Sequence, residues 1–218
     1  MDYAEPHRTP KGLRDRIAFA FVKFLRFFAD LFFRQRYGHR AVVLETVAAV
    51  PGMVAGLLQH LRAIRRMRDD QGWIKELLDE AENERMHLMT FIQVAQPSLF
   101  ERALIMIAQA LFYNFYFFLY LFAPKTAHRV IGYFEEEAVT SYTHYLREID
   151  EGRLENGPAP QIAIDYWNLP IDARLRDVIV VVREDEAGHR DRNHYFADAL
   201  IRGDEPEAES GDYALRRT

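Results

Sequence analysis

Apolar residues recur every three or four positions along most of the chain, which is the periodicity of an amphipathic helix. Alternating apolar and polar runs, the pattern of a half-buried strand, are few. Four apolar stripes predict helices that each bury one face, in residues 41–55, 77–91, 131–145 and 175–200. The pattern predicts a single all-α domain over residues 1–218 built on a four-helix bundle, with a flexible arm (1–12) and a flexible tail (203–218).

Charged side chains fall on the apolar stripes of these helices. The second segment carries Glu84 and His87 in a Glu-x-x-His motif, and the fourth repeats the motif with Glu186 and His189. Glu45 falls on the stripe of the first segment. Residues three or four positions apart lie on one side of a helix, so each motif presents its carboxylate and imidazole together. These side chains are therefore predicted to point into the core.

The third segment offers three consecutive glutamates, and periodicity selects one of them. Glu135 falls within the stripe that contains Ala138 and Tyr142, whereas Glu136 and Glu137 project elsewhere. Taken singly, a glutamate is as consistent with a surface charge, and a histidine with a hydrogen-bonded core residue. Taken together on four helices, the selected residues form one set: Glu45, Glu84, His87, Glu135, Glu186 and His189.

This set predicts a metal centre. Unpaired charges in a core cost several kcal/mol each, and the basic residues lie mostly on opposite faces or in loops. A Glu from each of two helices and a Glu-x-x-His from each of two others is the ligand set of carboxylate-bridged two-metal centres in ferritin-like bundles. Four carboxylates neutralise two divalent ions, and the two imidazoles favour iron or manganese over calcium or magnesium. We therefore expect two iron ions and dioxygen chemistry.

Composition excludes several other functions. The chain has no cysteine, which excludes disulfides, thiolate catalysis and iron–sulfur clusters. A net charge of -5 and a pI near 5.9 give no indication of nucleic-acid binding. We expect neither haem nor flavin. The N-terminus lacks the apolar core of a secretory signal and contains acids and prolines, unlike a transit peptide, which favours a bacterial protein made in the cytoplasm. A mature processed form is the alternative.

Two further segments are more apolar than the surface of a soluble bundle. Residues 103–123 are long enough to cross a bilayer, but a single crossing would tend to separate Glu84 from Glu135. One face of this segment carries four amide or phenol side chains: Gln109, Tyr113, Tyr116 and Tyr120. Residues 17–33 have a mostly basic face opposite many phenylalanines. We expect both segments to be membrane-surface helices in one leaflet, or else, for one or both, a dimer interface.

From about Arg36 to Arg202 the chain resembles the alternative oxidases, which are cyanide-insensitive di-iron ubiquinol oxidases. The strings that carry the resemblance are LETVAAVPGMV, GWIKELLDEAENERMHLMTF, EEEAVTSYTHYL, NGPAPQIAIDYWNLP and REDEAGHRDRNHYFAD. The resemblance implies that the six residues selected above correspond to the iron ligands of the family. It also implies a monotopic homodimer at the cytoplasmic membrane of a bacterium, or at the matrix face of the mitochondrial inner membrane if the source is eukaryotic.

The resemblance further implies roles for residues outside the ligand set. Tyr142 matches a tyrosine thought to supply an electron and a proton during oxygen reduction. The residues that match the quinol pocket are Arg40, Leu44, Phe134, Ala138, Ser141 and Tyr142. Phe134 and Ser141 stand where Leu and Thr are common, so the preference for quinones or inhibitors is expected to differ. The residues that match the surroundings of the ligands are Asn83, Asp185, Tyr166 and Trp167.

The function implied is the oxidation of two quinols and the reduction of dioxygen to water, without proton pumping. The expected partners are ubiquinol, dioxygen and the lipid of one leaflet. Two other functions fit a di-iron bundle: a quinone-biosynthesis hydroxylase, and a ferritin-like iron-binding protein or ferroxidase. The two apolar helices count against a ferritin-like protein, because an iron store has a soluble surface.

Overall fold

In the ranges that the structure describes, residues 7–33 and 36–206, a computed structural model shows seven helices and no β-strand. The helices are α1 (Gly12–Phe33), α2 (Tyr37–Arg66), α3 (Trp73–Ala95), α4 (Leu99–Phe122), α5 (Pro124–Asp150), α6 (Gln161–Trp167) and α7 (Leu175–Arg202). The prediction of an all-α fold is confirmed. Residues 1–6 and most of the predicted tail, 207–218, lie outside the described ranges.

The bundle consists of α2, α3, α5 and α7, which are the four helices predicted from the apolar stripes. The most extensive packing is within the pairs α2–α3 and α5–α7. A Cβ atom at Gly52 would lie 2.3 Å from the backbone oxygen of Leu77, and one at Gly132 would lie 2.4 Å from the ring of His194. Each pair therefore has a close helix contact that only glycine permits. These contacts bring the charged stripes of the four helices together.

Helix α1 contacts the bundle through apolar and polar side chains, including the buried Ala18 and Val22, and turns a face of large apolar side chains outwards. Lys23 and Arg26 both form ion pairs with Glu137 of α5. Large apolar side chains are exposed on the other side of the helix: Leu13, Ile17, Phe24, Phe27, Phe28 and Leu31. The outward apolar face of α1 is therefore not covered by the bundle and is available to another partner.

Helix α4 likewise packs one face against the bundle and turns an apolar face outwards. Tyr116 and Tyr120 are buried, and the amide of Gln109 donates to the backbone oxygen of Thr46 on α2 at 3.3 Å. Tyr113 is partly exposed. The face expected to lie at a membrane interface therefore packs mainly against the bundle. The outward face carries Leu104, Met106, Ile107, Leu111, Phe115, Phe118, Leu121 and Phe122.

Two described helices are long and apolar enough to span a membrane, α2 and α4. They differ in burial, because 61% of the most apolar window of α2 is buried but only 11% of that of α4. Helix α2 is thus a core helix of the bundle. The exposed one, α4, covers nearly all of the segment for which the sequence predicts membrane contact, residues 103–123.

Candidate metal centre

The six predicted ligands come from the four helices of the bundle. Helix α2 supplies Glu45 and α5 supplies Glu135, while α3 and α7 each supply one Glu-x-x-His pair. Every one of the six side chains is buried, with at most 4% of its surface exposed. The stripes therefore place six ionisable groups in the interior of one domain.

The six side chains converge on one small volume. One ligand atom from each of Glu45, Glu84, His87 and Glu186 lies within 4.8 Å of the others. Nδ1 of His189 is 2.6 Å from Oε1 of Glu84, which joins the second motif to the cluster. Glu135 is close enough to Glu186 and Glu84 for their charges to raise its pKa, although burial is the larger cause. This arrangement can hold metal ions between the helices.

The ligand atoms fit a bound cation because they do not satisfy one another. Six buried atoms of the cluster form no hydrogen bond of acceptable geometry, although some of them lie as close together as 2.6 Å: Oε2 of Glu45, both carboxylate oxygens of Glu84, Nδ1 of His87, Oε2 of Glu186 and Nδ1 of His189. A buried polar atom without a partner costs about 1–3 kcal/mol, and more if it is charged. Carboxylate oxygens and imidazole nitrogens are ligands of divalent transition metals. The residues present therefore fit a two-metal centre.

The raised pKa values of carboxyl groups in the cluster also indicate that a bound cation would stabilise it. Burial, together with the charge of Glu45, raises the pKa of Glu84 to about 8 despite the nearby His87 ring. Burial and the charges of Glu84 and Glu45 raise the pKa of Glu186 to about 7. Carboxylates crowded in this way hold protons that a divalent cation would displace.

His87 is oriented by a carboxylate behind it. Its Nε2 is 3.2 Å from Oδ2 of Asp185, which also accepts hydrogen bonds at 2.9 Å from Asn83 Nδ2 and Trp167 Nε1. Burial raises the pKa of Asp185, but these hydrogen bonds outweigh it and lower the pKa to about 2. An ionised Asp185 accepts a hydrogen bond from Nε2 and so turns Nδ1 towards the carboxylates of the cluster. Burial lowers the pKa of His87, but the charges of the surrounding carboxylates outweigh burial and raise that pKa well above its usual value. Tyr166 accepts a longer hydrogen bond from Asn83, at 3.2 Å.

A cavity extends from the cluster to two arginines, one on α1 and one on α2. Its lining includes Glu45, Glu135 and Glu186 at the cluster, and Arg26 and Arg40 elsewhere. Four of the predicted quinol-pocket residues line it, namely Arg40, Leu44, Phe134 and Ala138. Ser141 and Tyr142 are buried on α5 but are not part of this lining. The hydroxyl of Tyr142 instead donates a hydrogen bond to Glu45.

Prediction from the sequence missed the partners of Arg40. Its guanidinium pairs with Asp30 of α1, and Asp30 also accepts from Arg26 Nε at 2.8 Å. Arg26 Nη1 in turn donates a hydrogen bond to Glu137 Oε2 at 2.7 Å. The basic face of α1 was visible in the sequence, but its contact with α2 and α5 depends on how the helices pack.

The sequence also left Glu80 unassigned. It lies four residues before Glu84 on the same face of α3, and only 4% of its surface is exposed. Burial raises its pKa, and the nearby His189 ring lowers it in part. The helical spacing was the signal that could have identified it, because Glu80 belongs to the charged stripe.

Comparisons with known proteins identify the family of the chain. The family profile described as "Alternative oxidase" matches residues 2–198. The chain is 64% identical over 195 residues to "Ubiquinol oxidase, mitochondrial" of Batrachochytrium dendrobatidis, covering 89% of this chain and 62% of that protein. It is 59% identical over 199 residues to "Ubiquinol oxidase 1a, mitochondrial" of Arabidopsis thaliana, covering 91% and 56%.

A third relative, "Ubiquinol oxidase 2, mitochondrial" of Glycine max, is 56% identical over 199 residues, covering 91% of this chain and 60% of that protein. The chain therefore spans about three fifths of the length of these relatives. The matched region contains all four helices that supply the cluster, apart from the last turn of α7. The chain belongs to the alternative oxidase family.

Proposed function

We propose that the protein is a ubiquinol oxidase that reduces dioxygen to water at a two-iron centre. The observation that carries this proposal is the buried carboxylate–imidazole cluster with unsatisfied ligand atoms, which opens into a cavity that contains Arg40. The names of the relatives support ubiquinol as the reductant. Two quinols would lose four electrons and four protons, which convert one dioxygen into two waters.

The proposed iron ligands are Glu45, Glu84, His87, Glu135, Glu186 and His189. Two bound irons would supply the redox chemistry that dioxygen reduction requires. The protein contributes a dry site, because all six ligand side chains are buried. Asp185, held by Asn83 and Trp167, would orient the His87 ring so that its Nδ1 faces the metal.

The quinol site is proposed to be the cavity. Nε of Arg40 is buried and has no hydrogen-bond partner, so it can donate to a quinol oxygen. The ion pair with Asp30 holds the guanidinium in place for that contact. Leu44, Phe134 and Ala138 supply apolar walls for the quinol ring. Ser141 is proposed to approach the quinol from α5 once the ring is bound.

Tyr142 is proposed to supply an electron and a proton during oxygen reduction. Its hydroxyl already donates to Glu45, so the proton can move along that hydrogen bond as the electron leaves the ring. Burial and the charge of Glu45 raise its pKa well above the usual value, so the phenol keeps its proton at neutral pH.

The outward faces of α1 and α4 are proposed to enter one leaflet of a membrane. Both faces are rows of exposed phenylalanine, leucine and isoleucine on helices whose polar sides are occupied by the bundle. The relatives are named as mitochondrial ubiquinol oxidases, and the membrane proposed here is the mitochondrial inner membrane or, in a bacterium, the cytoplasmic membrane. A third exposed apolar row, on α2, is proposed to pack against another copy in a homodimer: Met53, Leu57, Leu61 and Ile64.

The test is oxygen consumption by purified, detergent-solubilised protein supplied with a short-chain ubiquinol in the presence of cyanide. Iron per chain is determined on the same sample. We expect rapid uptake, about two irons per chain, and quinone as the only organic product. A hydroxylated quinone would favour the hydroxylase, and iron oxidation that needs no quinol would favour the ferroxidase.

A further inference from the structure

A second group of polar side chains lies beneath the metal cluster in the bundle. It consists of Gln59 of α2, Glu80 of α3, Tyr120 of α4, His128 of α5 and Asn193 of α7, and is called the lower polar layer here. No member has more than 7% of its surface exposed. Each of these five buried polar side chains needs a hydrogen-bond partner.

The lower polar layer is joined by one continuous set of hydrogen bonds. Gln59 Nε2 donates to the hydroxyl of Tyr120 at 2.9 Å, and that hydroxyl is 3.1 Å from His128 Nε2. His128 Nδ1 is 2.9 Å from Oδ1 of Asn193, and Asn193 Nδ2 donates to the two oxygens of Glu80 at 2.9 and 3.1 Å. This order of hydrogen bonds fixes the tautomer of His128, because its Nδ1 must donate to Asn193 and its Nε2 must accept from Tyr120.

The layer ends at the metal cluster. Glu80 lies four residues before Glu84 on α3, and Asn193 lies four residues after His189 on α7, so each shares a helix face with a predicted ligand. Asn193 Nδ2 also approaches the backbone oxygen of His189 at 3.1 Å. One amide thus ties the Glu80 carboxylate to the residue that carries the second imidazole.

The layer is poorly suited to two other roles. A proton path would have to pass through the amide of Asn193, which neither gains nor loses protons readily, and Gln59 and Tyr120 at its far end are buried. A second metal site is not favoured, because no buried polar atom of these five side chains lacks a hydrogen-bond partner. The metal cluster above has six such atoms.

We propose that Glu80 is a positioning residue for His189, with Asn193 holding the carboxylate and the rest of the lower polar layer holding Asn193. This inference rests on the proposed metal site. Asn193 Nδ2 donates both to the Glu80 carboxylate and to the backbone oxygen of His189, so Glu80 would fix the helix turn that carries the second imidazole. Each motif would then be supported by a carboxylate that is not itself a ligand, directly at His87 and through Asn193 at His189.

The test compares Glu80→Gln with Glu82→Gln in the full chain. Glu82 is on the same helix but is exposed and paired with Arg85, so it controls for the loss of one negative charge. Metal-free protein is titrated with Co²⁺ alone, and affinity is measured by chelator competition together with the visible absorption of the bound ion. We expect Glu80→Gln to weaken one of the two metal sites by about 10–100-fold and to change its spectrum. Glu82→Gln should match the wild type, and Glu80→Asp should lie between.

Thermal unfolding of the metal-free proteins separates positioning from a merely structural role. The proposal expects metal-free Glu80→Gln to unfold at or above the wild-type temperature, because a buried charge is removed while the side-chain shape is kept. Wild-type affinity in Glu80→Gln would overturn the proposal, as would a lowered unfolding temperature with unchanged affinity. If the variant loses one site but the wild type oxidises no quinol, the inference stands and the proposed oxidase function fails.

Discussion

The hydroxyl of Tyr142 donates a hydrogen bond to Oε1 of Glu45, although 97 positions separate the two residues in the chain. The Tyr142 ring is stacked on Phe91 with 5.5 Å between centroids, which fixes the direction of the hydroxyl. An oxidisable side chain is therefore joined through a single hydrogen bond to a predicted metal ligand. This geometry allows the metal-binding role of the cluster to be separated experimentally from the role of the tyrosine.

Replacing Tyr142 by Phe should leave metal binding intact and remove most of the turnover. The ring and its stacking on Phe91 remain, but the proton donor to Glu45 is lost. We expect about two irons per chain and a fall in turnover of about 100-fold or more. Tyr145→Phe is the matched control, since Tyr145 is a buried tyrosine one turn further along α5. Wild-type turnover in Tyr142→Phe would remove the proposed role.

Replacing Glu135 by Ala should abolish both iron loading and oxygen uptake. Glu135 is the predicted ligand from α5, and its loss removes one of four carboxylate charges from the cluster. Iron per chain and quinol-dependent uptake are measured together, with Glu148→Ala as the control. Glu148 is on the same helix but pairs with Arg153 at the surface. Full iron content and activity in Glu135→Ala would show that the ligand assignment is wrong.

The ligand stripes were predictable because they depend only on helical period. A buried face repeats every three or four residues, so Glu45, Glu135 and both Glu-x-x-His pairs could be selected without knowing how the helices pack. Glu80 obeys the same rule and was still missed, because it lies outside either motif. The bundle and its charged interior thus follow from local sequence.

The surroundings of the cluster were not predictable in the same way. The contact between Arg40 and Asp30 joins two helices, and no periodicity within either helix specifies it. The packing of α1 and α4, each of which turns a large apolar face outwards, is a similar case. A polar face such as that of Gln109 and Tyr116 is compatible with water, with lipid headgroups or with a bundle, and only the tertiary packing decides among them.

The metal-free protein should lose stability as pH rises. The pKa of Glu84 is raised from 4.5 to about 8 and that of Glu186 from 4.5 to about 7, mainly by burial. A carboxyl whose pKa is higher in the folded state binds more protons there, so its contribution is present below pH 4.5 and is lost as pH rises towards 8. Three buried histidines whose pKa is lowered, His128, His189 and His194, oppose this trend below pH 6.5, so the unfolding temperature of metal-free protein is expected to fall between pH 6.5 and pH 8.

Metal loading should reverse this trend, because bound cations favour the ionised carboxylates. The loaded protein is expected to hold or gain stability over the same pH range, since protons no longer compete for ligands that are bound to metal. Calorimetry on metal-free and loaded samples at matched pH measures the difference. Parallel pH profiles for the two forms would contradict the placement of the cations at this cluster.

Replacing Arg40 by Gln should weaken quinol use without affecting iron. The variant loses the buried donor Nε and the ion pair with Asp30. A hydrogen bond from a charged donor contributes about 1.5–3 kcal/mol, so kcat/KM for quinol should fall by about 10–100-fold. Arg66→Gln, an exposed arginine at the end of the same helix, is the control. Unchanged kcat/KM in Arg40→Gln would place the quinol elsewhere.

Placing charges on the outward face of α1 should detach the protein from membranes. Phe24 and Phe27 are 59% and 62% exposed, and burying a phenylalanine in lipid contributes about 2 kcal/mol. The double variant Phe24→Glu/Phe27→Glu should bind anionic lipid vesicles at least about 100-fold more weakly in a flotation assay. Ile171→Glu is the control, because Ile171 is 81% exposed but lies in the loop between α6 and α7. Equal loss of binding in the loop variant would mean that added negative charge, and not the α1 face, controls membrane association.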